Sequence, residues 1–187
     1  MTVAVYQLRP GELVRRRDGT VARADSSVTL IETPEMNILV DTGATNPDEL
    51  VEALEARGGV DAVILTHSHT DHVANAPALA EALRPDFYAG EEELNDLPVD
   101  AEPVTAFDPP EGVEIVPTPG HTPGHVSVVV EDRLVIAGDA CPTPDNALER
   151  KPPALAVDPE AAERSLRKVL KYPVVVPGHG IHVREEP

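Results

Sequence analysis

Short apolar runs alternate along the chain with turn residues, and most runs are of strand length. Residues 26–32 (SSVTLIE) and 36–43 (MNILVDTG) are two such runs, each bounded by turn-forming residues. Residues 13–24 (LVRRRDGTVARA) predict a hairpin closed by Asp18-Gly19, a pair suited to a type I′ turn. A helix is predicted over 46–59 (NPDELVEALEARGG). Pro47 suits its first turn, Asp48 and Glu49 favour its positive end, and Gly58 stops it. Residues 60–66 (VDAVILT) predict a buried strand, 75–84 a second helix and 87–89 a short strand. The Pro- and acid-rich segment 95–111 predicts a surface loop. Further strands are expected at 112–117, 125–131 and 133–138. A helix over 158–171 starts with Asp158 as N-cap and Pro159 behind it, and 173–176 is the last expected strand. No internal repeat or linker divides the chain. One domain over residues 1–187 is therefore expected, with sheets covered by helices in an α+β or α/β sandwich.

Composition narrows the class of partner. Only 3% of residues are aromatic and Trp is absent, so the core must be built from Val, Leu, Ala and Ile. Fifteen basic residues stand against 33 acidic ones, a net charge of −18. Such a surface disfavours nucleic acid and anionic membranes, although a local patch could override it. The acid is dispersed, Lys is scarce and aromatics are few, as in proteins of high-salt cytoplasms such as those of halophilic archaea. There, self-repulsion is screened over about 3 Å at 1 M salt. No apolar run reaches about 18 residues, and the N-terminus lacks a basic start followed by an apolar stretch, so neither a membrane span nor a signal peptide is expected. With Cys141 the single cysteine, an internal disulfide is impossible and a cytoplasmic location is expected.

The chemistry lies in the seven histidines, which fall in three places, each a strand-to-loop junction. VILTHSHTDH (63–72) supplies His67, His69, Asp71 and His72. PTPGHTPGHVS (117–127) supplies His121 and His125, and VVVPGHGIH (174–182) supplies His179 and His182. A fourth junction, LVIAGDA (134–140), supplies Asp139. Strand ends at one sheet edge are close in space, and catalytic groups gather on the loops beyond them. Imidazole and carboxylate are ligands for zinc and related divalent ions. Five histidines and two aspartates exceed what one closed structural site needs, and suit two ions with an open water position.

These stretches resemble the metallo-β-lactamase-fold hydrolases. The resemblance runs from SSVTLIE and ILVDTG through THSHTDH, PTPGHTPGH and AGDA to PGHG, in the order the family has them. It implies a four-layer αβ/βα sandwich, of α+β class, with metals at one edge. It implies that His67, His69 and His121 hold one metal, that Asp71, His72 and His179 hold a second, and that Asp139 bridges both. Within the family, SSVTLIE, ILVDTG and PGHTPGHVSVVV look most like the small proteins of the metallo-β-lactamase domain-containing protein 1 group.

The resemblance implies a hydrolase in which a hydroxide shared by two divalent ions attacks a small ester, thioester or lactone. Asp71 would orient it and carry a proton. Zinc is the first expectation, with iron or manganese as alternatives. Asp139 is unlike the β-lactamases proper, so antibiotic hydrolysis is not expected. The helical C-terminal domain of the hydroxyacylglutathione hydrolases has no counterpart in the eight residues after His179. A phosphodiesterase or ribonuclease of the same fold is the alternative, and a metal-binding protein without turnover is the alternative of another class. His125 and His182 match no ligand position and are expected to support ligands, face solvent or touch substrate. Asp41 is expected to organise a turn, Cys141 to be small and buried, and Arg15–Arg17 to form a solvated hairpin face. Ser68 and Thr70 are expected to be spacers. Residues 95–111 and 141–157 carry no legible signature, and substrate identity and oligomeric state stay open.

Overall fold

The computed structural model describes residues 3–184, so the first two and last three residues of the expected 1–187 domain lie outside the described residues. Two sheets stack face to face. The first half of the chain supplies β1 (Ala4–Arg9), a hairpin of β2 (Glu12–Arg15) and β3 (Val21–Asp25), then β4 (Val28–Glu32) and β5 (Asn37–Val40). Helix α1 (Pro47–Glu55), strand β6 (Ala62–Leu65), the single turn α2 (Thr70–Val73), α3 (Ala76–Ala82), β7 (Asp86–Ala89) and β8 (Glu102–Pro103) follow. The second half supplies β9 (Val113–Pro117), β10 (Val126–Val130), β11 (Leu134–Gly138), α4 (Pro144–Leu148), α5 (Pro159–Val169), β12 (Val174–Pro177) and β13 (Val183–Arg184). The first sheet has the order β1-β4-β5-β6-β7-β8 and the second β13-β12-β11-β10-β9.

Period-two alternation decides the layers, because successive side chains on a strand point to opposite faces. Ile31, Ile38, Val40 and Ile64 of the first sheet meet Val128, Val130, Ile136 and Val176 of the second in a dry inner layer. The intervening residues Leu30, Leu39, Val63 and Leu65 turn outward onto Leu50 and Leu54 of α1 and Leu79 of α3. Val129, Val135, Ala137 and Val175 turn the other way, onto Leu166 and Val169 of α5. Both faces of the central strands are therefore apolar, which produces the expected helix–sheet–sheet–helix stack.

Most predicted elements are present. Asp158 caps α5 as expected, its carboxylate accepting from Ala161 N–H at 3.0 Å. Four details differ. The hairpin closes through Gly19 N–H to Arg16 O at 2.9 Å, and Gly19 has φ 86° while Asp18 does not enter the left-handed region. That is a type I turn followed by a glycine bulge, not type I′, which needs positive φ at two residues. Asp18 instead accepts from Thr20 N–H at 3.0 Å. Strand β1 was not foreseen because its partner, β4, lies a hairpin away in sequence. Segment 95–111 is not all loop, since β8 adds a parallel edge strand to β7. Beyond the last expected strand, β13 pairs antiparallel with β12.

Candidate metal centre

Parallel pairing brings the chemistry to one edge. β5 and β6 run parallel, so Asp41, just past β5, lies beside Thr66 and His67, just past β6. β11 and β12 also run parallel, which sets Asp139 beside Gly178 and His179. β9 ends and β10 begins at that edge, and the loop between them carries His121 and His125. Backbone bonds stitch the halves together: Ser27 N–H donates to Gly178 O at 2.6 Å, Ser26 N–H to Asp71 O at 3.1 Å and Val126 N–H to Thr66 O at 2.9 Å. The stretch THSHTDH is a loop only as far as His69, where α2 begins.

All seven expected residues converge. Nε2 of His67 and Nε2 of His121 each lie 3.0 Å from Nδ1 of His69. Nitrogens sharing a tetrahedral ion at about 2.0–2.1 Å stand roughly 3.3 Å apart, so this spacing is close to that of co-ligands. On the other flank, Asp71 Oδ2 lies 3.6 Å from His179 Nε2 and 3.9 Å from His72 Nε2. Asp139 stands between the two flanks. Its Oδ2 is 3.3 Å from His121 Nε2, and its Oδ1 is 3.5 and 3.4 Å from Nε2 of His72 and His179. Three overlapping groups can each hold an ion: His67, His69 and His121; His67, His72 and Asp139; and Asp71, His72 and His179.

The outer ring nitrogens fix the tautomers. His121 Nδ1–H donates to Leu155 O at 2.6 Å and His179 Nδ1–H to Asp25 O at 2.8 Å. A carbonyl only accepts, so each proton must sit on Nδ1. His72 Nδ1–H donates to Asp41 Oδ2 at 2.7 Å. Thr66 gives its own hydroxyl hydrogen to Asp41 Oδ2 at 2.8 Å, which leaves Thr66 Oγ1 to accept from His67 Nδ1–H at 3.1 Å. In their neutral forms all four rings thus turn an Nε2 lone pair toward the cluster. Among the described residues, two buried atoms there, His72 Nε2 and Asp139 Oδ1, have no hydrogen-bond partner. An orphaned buried polar atom costs ~1–3 kcal/mol. Divalent cations would satisfy these atoms and separate the converging lone pairs, so the residues fit such ions.

Charge follows burial and neighbours. Burial holds His67 well below the ordinary histidine range, with His72 and His125 adding to the effect, and burial also lowers His69. Burial would lower His72 as well, but Asp41 and Asp139 outweigh it and the ring rises well above its ordinary value. His179 is raised in the same way, burial being overcome by Asp139. Burial would raise Asp139, yet His179 and His72 hold its carboxyl well below the usual range. These raised rings favour their protonated forms beside the Asp139 carboxylate, so cations binding there would compete with protons.

Residues 22–179 match the metallo-beta-lactamase superfamily. The chain belongs to that superfamily. A Methanocaldococcus jannaschii protein named "Probable metallo-hydrolase" is 37% identical, the match covering 98% of this chain and 91% of that protein. Metallo-beta-lactamase domain-containing protein 1 of Xenopus laevis is 34% identical over 87% of this chain and 73% of that protein. The fold is also that of an N-acyl homoserine lactone hydrolase with N-hexanoyl-L-homoserine bound at its catalytic metal centre. That likeness has a TM-score of 0.75 at 23% identity and covers 96% of this chain and 94% of the other.

The superfamily frame leaves several polar residues to be placed. Buried His125 accepts from Asp139 N–H through Nε2 at 3.0 Å and donates from Nδ1 to Thr118 Oγ1 at 2.9 Å. Thr118 then donates to Ser127 Oγ at 2.8 Å, and Ser127 to Ala137 O at 3.0 Å. Burial pushes its pKa down to about 3, so the ring is neutral, and its work is to hold the backbone of Asp139. His182 is exposed, its backbone N–H donating to Gln7. Cys141 is packed in the α5 core, its thiol pushed up to about 12 by burial and by Asp139. Asp41, at φ 57°, was expected to organise a turn, but its carboxylate instead reaches across to accept from Thr66 N–H, Thr66 Oγ1–H and His72 Nδ1–H.

Glu93 is the residue that sequence reasoning missed. It is buried, and it accepts from Ser68 N–H at 2.9 Å, from Ser68 Oγ–H at 2.6 Å and from Gly124 N–H at 3.0 Å. One carboxylate therefore ties the loop of His67 and His69 to the loop of His121. Ser68 is correspondingly more than a spacer, because its hydroxyl is half of that tie. The signal was hidden in the run Glu91-Glu92-Glu93, where only the third residue turns inward.

Proposed function

We propose that the chain is a binuclear, divalent-metal-dependent hydrolase of a small ester, thioester or lactone. His67, His69 and His121 would hold one ion and Asp71, His72 and His179 the other, with Asp139 standing between the two groups. The observation that carries this reading is the set of four outward Nδ1–H bonds, which commit His67, His72, His121 and His179 to present Nε2 lone pairs inward. Outer partners of this kind orient and strengthen metal-binding imidazoles. When bound, a pair of such ions supplies Lewis acidity and makes water ionisable near neutral pH. Zinc fits the imidazole-rich donor set, and iron and manganese are the alternatives that elemental analysis would separate.

Asp71 is the proposed catalytic carboxylate. Its side chain is 23% exposed against 11% for Asp139, so it is the more open of the two to solvent and to a substrate. Asp139, clamped at its backbone by His125, keeps its carboxylate aimed between the two histidine groups. The hydrolase names carried by relatives support the reaction class, and the net charge of −18 favours a small substrate over a nucleic acid. The same charge supports a salt-rich cytoplasm as the setting, and no described helix is long and apolar enough to cross a membrane. The whole chain, 1–187, is proposed to act as one domain.

The test is metal analysis of the purified protein, followed by turnover of thioester, ester, lactone and phosphodiester panels in high salt. Two ions per chain and acyl hydrolysis are expected. An Asp139→Ala variant should lose at least one ion and most activity. Full activity with both ions retained would refute the assignment, and turnover confined to phosphodiesters would transfer the site to the other reaction class.

A further inference from the structure

The flank of Asp71, His72 and His179 hangs on two segments that leave the first sheet at its metal edge. β4 and β5 stay paired as far as Thr29 and Val40, and residues 25–27 and 42–45 lie beyond that ladder. Residues 25–27 hold one side of the flank. Asp25 O accepts from His179 Nδ1–H at 2.8 Å, Ser26 N–H donates to Asp71 O at 3.1 Å and Ser27 N–H to Gly178 O at 2.6 Å. Residues 42–45 hold the other, where Thr42 donates to His72 O from N–H at 2.8 Å and from Oγ1–H at 2.9 Å. This loop is itself anchored, since Asn75 Nδ2 donates to Thr42 O and to Thr45 O at 2.9 Å each. Among the described residues, the hydrogen bonds that join the two segments both end on one half-buried side chain. Asp25 Oδ1 accepts from Ala44 N–H at 2.7 Å, and Asp25 Oδ2 accepts from Thr45 Oγ1–H. The fit is close, because a Cβ on Gly43, at φ 68°, would lie 2.8 Å from Asp25 Oδ1.

We propose that Asp25 is a positioning residue for the second ion, its carboxylate setting the separation of His72 from His179 and Asp71. The inference rests on the two-ion hydrolase reading and adds a supporting part to its second site. His72 follows β6 of the first sheet and His179 follows β12 of the second, so nothing within one element fixes their spacing. Ligands that share an ion must be held within about 0.5 Å of the working geometry. Asp25 does this from behind, through its backbone carbonyl on the His179 ring and through Ala44 and Thr42 on the His72 backbone. Releasing such outer support weakens metal binding ~10–100-fold. The first ion lies off this path, because its loops are tied by Glu93 between Ser68 and Gly124. Shape, not charge, is what the tie needs. In an Asp25→Asn variant the amide oxygen still accepts from Ala44 N–H, and the NH2 donates to the Thr45 hydroxyl, which can accept as well as donate.

Zinc affinity is measured by competition with a chromophoric chelator in two backgrounds. His121→Ala leaves the second set of ligands, and there Asp25→Ala should weaken zinc at least about tenfold while Asp25→Asn changes it less than about threefold. His179→Ala leaves the first set, and there Asp25→Ala should matter less than about threefold. Amide hydrogen exchange on the metal-free chain, without either background change, is the second readout. Asp25→Ala should speed exchange at Ser26, Ser27 and Thr42 about tenfold or more, Asp25→Asn should restore protection, and Ser68 and Gly124 should keep theirs. Unchanged exchange at those three amides overturns the tie. So does a zinc loss of equal size in both backgrounds, or an asparagine variant as weak as alanine. One zinc per wild-type chain defeats the two-ion reading instead, and the exchange pattern then still decides whether Asp25 holds this flank. Thr45→Val, at an exposed position, removes one of the two bonds and carries the same test if Asp25→Ala does not fold, with a smaller change in the same direction.

Discussion

Asp41→Asn isolates the outer support of the proposed second ion site. Asp41 Oδ2 accepts from His72 Nδ1–H at 2.7 Å and from Thr66 Oγ1–H at 2.8 Å, and Oδ1 accepts from Thr66 N–H at 2.8 Å. Asparagine keeps the shape and tolerates the φ of 57°. It offers one accepting oxygen where the carboxylate offered two. With the amide oxygen toward His72, the amide NH2 confronts Thr66 N–H; turned round, the NH2 confronts His72 Nδ1–H. Either way a buried donor faces a donor, at a cost of ~1–3 kcal/mol. His72 can relieve the clash by moving its proton to Nε2, which removes the lone pair aimed at the cluster. Loss of an orienting partner of this kind weakens metal binding ~10–100-fold, or about 1.4–2.8 kcal/mol, which agrees with the hydrogen-bond cost. Zinc titration by calorimetry, with elemental analysis after dialysis against chelator, should find the second ion weakened by that factor. The ion at His67, His69 and His121 should be less affected. Two ions retained at wild-type affinity would refute the reasoning.

Other consequences are equally open to measurement. A Cβ on Gly178 would lie 2.0 Å from Asp139 Oδ1, so Gly178→Ala should displace that carboxylate and lower both metal content and activity at least tenfold. Removing Glu93 by Glu93→Ala leaves Ser68 and Gly124 donors unpaired and should destabilise the fold by ~1–3 kcal/mol, read from urea unfolding. His72 and His179 are raised above the ordinary histidine value, so their protons compete with cations. Ion affinity should therefore fall as pH drops through those raised values and level off above them, with proton release on binding measurable in two buffers of different ionisation enthalpy. If the charge of −18 is an adaptation to salt, heat unfolding should move to higher temperature in molar salt, and equal stability in low and high salt would count against it.

The seven residues that converge were legible in the sequence because their chemistry is local: three histidines and an aspartate within THSHTDH, and single residues placed after apolar runs of strand length. The sandwich was legible for a related reason, since runs apolar at every position, such as 62–65, need cover on both faces. What escaped was set by distant partners. His125 could be named but not placed, because its role depends on Asp139 N–H, fourteen residues on. Glu93 was one acid among three, separated from its neighbours only by a fold that points it between two loops. β8 and β13 are two residues each and exist only because a strand edge is there to pair with.

The bond from His179 Nδ1–H to Asp25 O joins residues 154 apart in the chain. Closing a loop of that length costs entropy before any contact rewards it, and non-local pairings of this kind form late in folding. His67, His69 and His72 are delivered together by one strand end, His121 follows once β9 and β10 pair, and His179 arrives with β12. A chain still being synthesised therefore gathers His67, His69, Asp71 and His72 before His121, Asp139 and His179 can join them. On the proposed two-ion reading, tight capture of a divalent cation by the pair of sites would report that both sheets have docked.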